Sequence, residues 1–392
     1  MTSELAASAP QPIAEPISVT FLAMTLVVKL GSSIVAADDG ALRADVLDSV
    51  CEQVSELVEE GERVVMVTSG AIARGMRLMG LPVRPRGMDE LQAASAVGQG
   101  DVFRAYERRL AKHETRAAQV LLTLSDVSER AHYLNARQTL ERLLAWGVVP
   151  VINENDTTST DEITFGDNDF LAALVSVLLR ARLLVLLTNT EGVYTANPNL
   201  DPEASRISSI ENTQDFDLIE IAGASRFGRG GMGRKIASAR IASESGVPVV
   251  ICSGLQAGAL RAAASGTEIG THVAAQRDRA LTPYKLWLKY AKQPAGTVYV
   301  DHGAAVKLRE SGSSLLPVGV VESVGTFKVG DAVAVVDQDE RELVGKGITG
   351  HSSSDLARIK GRRSSYIEEH YPELSAEVVH RDRFVLVSEA FA

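Results

Sequence analysis

Cysteine is scarce in this chain: Cys51 and Cys252 are the only two, and they lie far apart. That excludes a disulfide scaffold and points to free thiols in a reducing compartment. The seven histidines are scattered, with no paired Cys or His spacing, so a zinc signature is missing too. Positive charge is short: 40 Lys and Arg face 50 Asp and Glu. The resulting formal net charge of −10 argues against a protein that coats nucleic acid, though not against a local basic patch. A membrane-spanning run is also lacking. The stretch from Ile17 to Ala37 contains Lys29 and several Ser and Thr, and Glu4 and Glu15 precede it without any Lys or Arg, so a secretory n-region is missing. The run from Leu171 to Leu187 is broken by Arg180 and Arg182, too costly at a bilayer centre. A soluble, cytoplasmic protein with no membrane partner is expected. Internal repeats and long low-complexity segments are absent.

What is present is enough chain for two domains or three, since 392 residues exceed one ordinary core. Residues 1–23, rich in Ala, Ser and Pro, read as a disordered tail, and Met24 stands where the folded part could start. Short apolar runs follow at Leu26–Val28, Val64–Val67, Val148–Ile152, Leu183–Leu187 and Val247–Cys252. Runs without polar alternation suit strands buried on both faces of a parallel sheet. Helical stretches separate them at Arg43–Glu60, Glu90–Lys112, Ala131–Trp146 and Phe170–Arg180. The expectation is an α/β domain over 24–281 with a mostly parallel central sheet flanked by helices. Residues 282–294 read as a linker. Residues 295–388 read as a small, mostly-β domain, with strands at Val298–Val300, Val318–Val321, Ala332–Val336 and Arg383–Val387 and a helix near Ser354–Lys360.

Ligands of open α/β sheets bind beyond the C-terminal strand ends. Here those ends are polar: Lys29-Leu30-Gly31-Ser32, Thr68-Ser69-Gly70-Ala71, Asn153-Glu154-Asn155-Asp156 and Thr188-Asn189. Gly and Ser at such junctions expose backbone N–H groups that can hold a phosphate or carboxylate. Two tempting motifs fail on context. Gly228 to Gly233 matches G-x-G-x-x-G but does not occupy the first strand-to-helix turn, so it is no dinucleotide fingerprint. His380-Arg381-Asp382 lacks the downstream Asn and D-F-G of a protein kinase. A Walker A sequence is missing as well.

Five segments, in order and spacing, resemble the glutamate 5-kinases of the amino acid kinase family. They are Lys29-Leu30-Gly31-Ser32, Val67 to Ile72, Val151 to Asp156, Phe165 to Asp169, and Gly230 to Lys235. The tail, with Gly312 to Gly319 and the late His380-Arg381-Asp382, resembles a PUA domain, a module of RNA-binding type. The resemblance implies an amino-acid-kinase-like sandwich and a PUA-like domain. It also implies ATP and Mg2+ as cofactors, L-glutamate as acceptor, L-proline as feedback inhibitor, homo-oligomeric assembly and a possible RNA contact. It assigns Lys29 and Lys235 to the transferred and developing phosphate charge and Asp169 to orienting both. Ser69, Asp156 and Asn168 fall to glutamate. Thr188, Asn189 and the segment Arg229, Gly230, Gly231, Met232, Gly233, Arg234 and Lys235 fall to the nucleotide, with no protein ligand for the metal. Read without the resemblance, Asp167 and Asp169 could cap a helix, and Lys29 could be a snorkelling strand-end lysine. Many such kinases have Asp where this chain has Asn189, and a basic residue where it has Thr164. Acetylglutamate, aspartate, carbamate and uridylate kinases share the sheet and lysines, and an RNA-binding protein is the reading from a different class.

Overall fold

The computed structural model describes residues 25–123, 126, 130–158, 168–198, 200–212, 215–216, 231–276, 283–286, 288–289 and 292–387. The expected tail of residues 1–23 lies outside them. The first sheet contains β1 (Thr25–Leu30), β2 (Arg63–Val67), β3 (Arg116–Leu122), β4 (Val148–Glu154), β5 (Leu183–Thr188), β6 (Ser209–Ile210), β7 (Val249–Ser253) and β8 (Thr271–Val273). Its order is β3-β4-β2-β1-β5-β7-β8-β6, and every neighbouring pair is parallel except β7 with β8. The helices are α1 (Ser32–Val35), α2 (Ala44–Glu59), α3 (Ala71–Leu78), α4 (Met88–Ala111), α5 (Arg130–Ala145), α6 (Asn168–Leu178), α7 (Gly231–Glu244) and α8 (Ala259–Ser265).

Alternation along each strand divides the core. Val27, Val65, Val67, Leu184 and Leu186 join α5, α6 and α7 on one face. Leu26, Val28, Val64, Met66 and Val185 join α2, α4 and α8 on the other. All six residues of β1 are therefore buried, which is why the strand reads as an unbroken apolar run ending in a lysine. Edge strand β3 is mostly half-buried or exposed, so its sequence gives no such run. Cys51 and Cys252 are unpaired, and burial pushes both thiols up to about 12, which leaves them unreactive.

The second sheet has the order β10-β9-β11-β12-β13, with β9 (Gly296–Val300), β10 (Val320–Gly325), β11 (Ala332–Asp337), β12 (Leu343–Thr349) and β13 (Val379–Leu386). Only β9 and β11 pair in parallel among these. Helices α9 (Pro283–Leu286), α10 (His302–Ser311), α11 (Ser353–Ile359) and α12 (Ser364–His370) accompany it. The strand expected from Val318 begins two residues later. Pro317 opens a 3-10 turn over Pro317–Gly319, because its fixed φ favours a turn and it has no N–H for a ladder. Residues between the two sheets are packed: Leu286 and Leu288 are fully buried. Lys289 joins α7 to β12, its Nζ lying 3.0 Å from Glu244 Oε2 and its carbonyl accepting from Lys346 Nζ at 3.1 Å. Among the described residues no helix is long and apolar enough to cross a membrane.

Helices α3 and α4 touch backbone to backbone at Gly75 and Gly98. An added Cβ would lie 1.7 Å from Ala94 O at the first and 1.9 Å from Ala71 O at the second. Gly→Ala inside a helix normally gains about 0.5–1 kcal/mol. Here overpacking against rigid backbone, typically about 1–3 kcal/mol or more, reverses the sign. Gly75→Ala and Gly98→Ala are each expected to lower the urea midpoint of unfolding. A midpoint at or above that of the parent chain would show that the helices separate freely.

Candidate active site

Ile152, Val67, Lys29, Leu186 and Ile251 stand in register across five adjacent strands. The chain therefore leaves β4, β2, β1, β5 and β7 at one level, and the polar residues at those strand ends gather along one edge.

Lys29 is buried one residue before the end of β1, and its Nζ lies 2.5 Å from Asp169 Oδ1. Lys235 approaches from the first turns of α7; its Nζ lies 3.1 Å from Asp169 Oδ2 and donates to Gly231 O at 3.4 Å. One carboxylate, itself only 5% exposed, thus holds two lysines from distant parts of the sequence. Burial pushes the Asp169 carboxyl up, but the charges and hydrogen bonds of Lys29 and Lys235 outweigh it and hold it below the usual carboxylate range. The trio carries one net positive charge. Buried ions of this kind persist only when paired, and the surplus favours an anion beside them.

Asn168 and Asp169 both lie inside the first turn of α6. Asp169 reaches the two lysines, and Asn168 bridges two strand ends. Its Nδ2 donates to Ser69 Oγ at 3.2 Å, and its Oδ1 accepts from Glu154 N at 3.2 Å. Gly70, with φ +93°, lets the chain turn from Ser69 into α3. Ser69 and Asn168 are both buried.

Asp156, just past β4, is also buried, and its Oδ2 accepts a short hydrogen bond from Ser95 Oγ on α4. Desolvation pushes this carboxyl above its ordinary value, while the Ser95 bond and the Arg84 charge pull it back. Asn153 Nδ2 donates to Gln99 Oε1 at 2.7 Å, leaving a buried Oδ1 without a partner among the described residues. Thr68 Oγ1 donates to the Tyr106 hydroxyl at 2.8 Å. Ser95, Gln99 and Tyr106 escape a reading of the sequence because polar residues in a helix resemble a solvated face. Their one signal is the i, i+4, i+11 spacing along one side of α4.

At the end of β5 Thr188 is buried, and its Oγ1 donates to the side-chain oxygen of exposed Asn189 at 3.4 Å. Gly231, Met232, Gly233 and Arg234 form the start of α7 just before Lys235, exposed or half-buried. Thr164, Asp167, Arg229 and Gly230 lie outside the described residues. The donor set at the lysines suits a polyphosphate. It does not suit a bare metal ion, since both oxygens of Asp169 are taken by cations. A metal there would ride on the phosphates, keeping its own waters, as magnesium does.

The amino acid kinase family matches residues 24–253, and the PUA domain matches residues 296–371. Glutamate 5-kinase of Paraburkholderia phymatum is 45% identical over 364 residues, which cover 92% of this chain and 97% of that one. Glutamate 5-kinase of Cupriavidus pinatubonensis is 45% identical over 372 residues, covering 94% and 100%. That of Chromohalobacter salexigens is 46% identical over 369 residues, covering 93% and 96%. On the strength of these matches the chain belongs to the amino acid kinase family, among its glutamate 5-kinases, and carries a PUA domain after the kinase fold.

Proposed function

We propose that this enzyme transfers the γ-phosphoryl group of ATP to the side-chain carboxylate of L-glutamate, giving L-glutamyl 5-phosphate, the first step of proline biosynthesis. The observation that carries the reading is the Lys29–Asp169–Lys235 trio, joined through neighbouring Asn168 to Ser69 at the end of β2. The acceptor carboxylate, with a reference pKa of about 4.3, is already ionised at neutral pH, so no general base is required. The barrier is electrostatic: an anion must approach a triphosphate, and the attacking and leaving oxygens must lie in line. Lys29 neutralises the transferred phosphoryl oxygens, Lys235 the charge growing on the leaving phosphate, and Asp169 keeps both ammonium groups aimed. The start of α7, Thr188 and Asn189 hold the nucleotide. Ser69, Asp156 and Asn168 hold glutamate, with the Asp156 carboxylate facing its ammonium group. Magnesium, bound to the phosphates, supplies further charge neutralisation.

A coupled ADP-release assay tests the reaction across glutamate, N-acetylglutamate, aspartate, carbamate and UMP. Turnover is expected with glutamate, and faster turnover with any other acceptor sinks the assignment. Lys29→Ala and Lys235→Ala are each expected to lower kcat by roughly a hundred-fold or more in protein that keeps its far-UV spectrum. Folded variants with near-normal kcat would remove these lysines from the chemistry.

Feedback inhibition by L-proline, which the family resemblance implies, is assigned to the same residues as glutamate. Proline retains the α-carboxylate and the ammonium charge of glutamate but lacks the group that reacts, so it occupies the glutamate site without turning over. Asp156→Asn is expected to weaken glutamate and proline alike by about 1–3 kcal/mol, the range for a hydrogen bond to a charged group. Initial rates at several glutamate and proline concentrations check this. Inhibition that saturating glutamate cannot relieve would put proline at another site.

A further inference from the structure

We infer that Ser95 is a positioning residue for glutamate recognition: from the buried face of α4 it fixes the Asp156 carboxylate in the orientation that receives the substrate's ammonium group. The inference rests on the proposed placing of glutamate against Asp156.

Ser95, Gln99 and Tyr106 lie at i, i+4 and i+11 of α4, and each meets a strand's C-terminal end. Ser95 bonds Asp156 beyond β4, Gln99 bonds Asn153 within β4, and Tyr106 bonds Thr68 beyond β2. The rest of that face is apolar or small: Leu91, Ala94, Gly98, Val102, Ala105 and Leu110. Three polar side chains on such a face are costly unless each is satisfied, and all three find partners at the loops that border the proposed pocket.

A helical serine commonly returns its hydroxyl to the carbonyl one turn back. Ser95 reaches instead across to β4, and it is only 2% exposed. Its hydroxyl occupies Oδ2 of Asp156, so it fixes the plane of the carboxylate and leaves the remaining acceptor positions for a ligand. The bond also favours the charged form of a carboxyl that burial disfavours. The other described groups around Asp156 do not duplicate this. Arg84, on the segment leading into α4, acts on it by charge. Glu154 is a second buried carboxyl two residues back on β4. Farther along α4, Asp101 is already paired with Arg74 of α3 at 2.6 Å.

The test is steady-state kinetics of the full chain from pH 5 to 9, with melting curves, for Ser95→Ala, Ser95→Cys and Asp156→Asn. Alanine is the best helix former, so Ser95→Ala keeps α4. It is expected to raise KM for glutamate about ten-fold, the loss of one hydrogen bond to a charged group. In the same variant kcat stays within about two-fold, and the acid limb of kcat/KM moves to higher pH. Ser95→Cys, with the same shape and a weaker donor, is expected to fall between Ser95→Ala and the parent chain. Asp156→Asn is expected to lose glutamate affinity and the acid limb together. If Asp156→Asn loses affinity while Ser95→Ala keeps a parental KM and acid limb, Ser95 is packing and the inference fails. A loss in Ser95→Ala that falls on kcat, with no movement of the acid limb, also overturns it. A parental KM in Asp156→Asn overturns the placing of glutamate itself, and the inference with it.

Discussion

A single buried carboxylate holds the catalytic edge of this protein together. Asp169 lies between Lys29 and Lys235, and without it two ammonium groups would face each other in a site with little water. Desolvation alone would neutralise such a carboxyl, and the two cations reverse that preference. The arrangement also ties together three distant pieces of sequence: the central strand, the start of α6 and the start of α7. The next residue back, Asn168, extends the tie to β2 and β4 through Ser69 and Glu154. The first turn of α6 thus joins the positively charged lysine–carboxylate trio to the polar ends of β2 and β4.

The sheet supplies the precision. Five strands end in register, so Lys29, Thr68, Asn153 and Thr188 need no long loops to converge. Helix α4 supplies the second support. It is locked against α3 by the Gly75–Gly98 approach, and its Ser95, Gln99 and Tyr106 grip the strand ends from one side. The side chains along this edge are therefore held by regular elements of the fold.

Much of this was legible in the sequence because buried parallel strands advertise themselves. Leu26 to Val28 and Leu183 to Leu187 read as strands without help, and the polar residues after them read as ligand-facing turns. The match across most of the chain to glutamate 5-kinases agrees with the family resemblance carried by those segments. Edge strand β3 was not legible, since a strand with one side open to solvent has no continuous apolar run. Short β6 and β8 left no pattern either. In the second domain Pro317 delayed a strand that composition alone placed too early. At the site, Asn168 and Asp169 sit at a helix start, and their partners come from distant strands and helices that local sequence does not display. The polar row of α4 was hidden for a similar reason, because burial of Ser and Gln follows from what faces them across the sheet.

The central claim is that Lys29 and Asp169 act as one unit, and a kinetic double-mutant cycle tests it most directly. The quantity is kcat at saturating ATP and glutamate for the parent chain, Lys29→Ala, Asp169→Asn and the double variant. Groups that act as a unit are strongly non-additive. The double variant is expected to be about as slow as the slower single variant. A double variant whose loss equals the product of the two single losses would mean that lysine and carboxylate act independently, and would contradict the account.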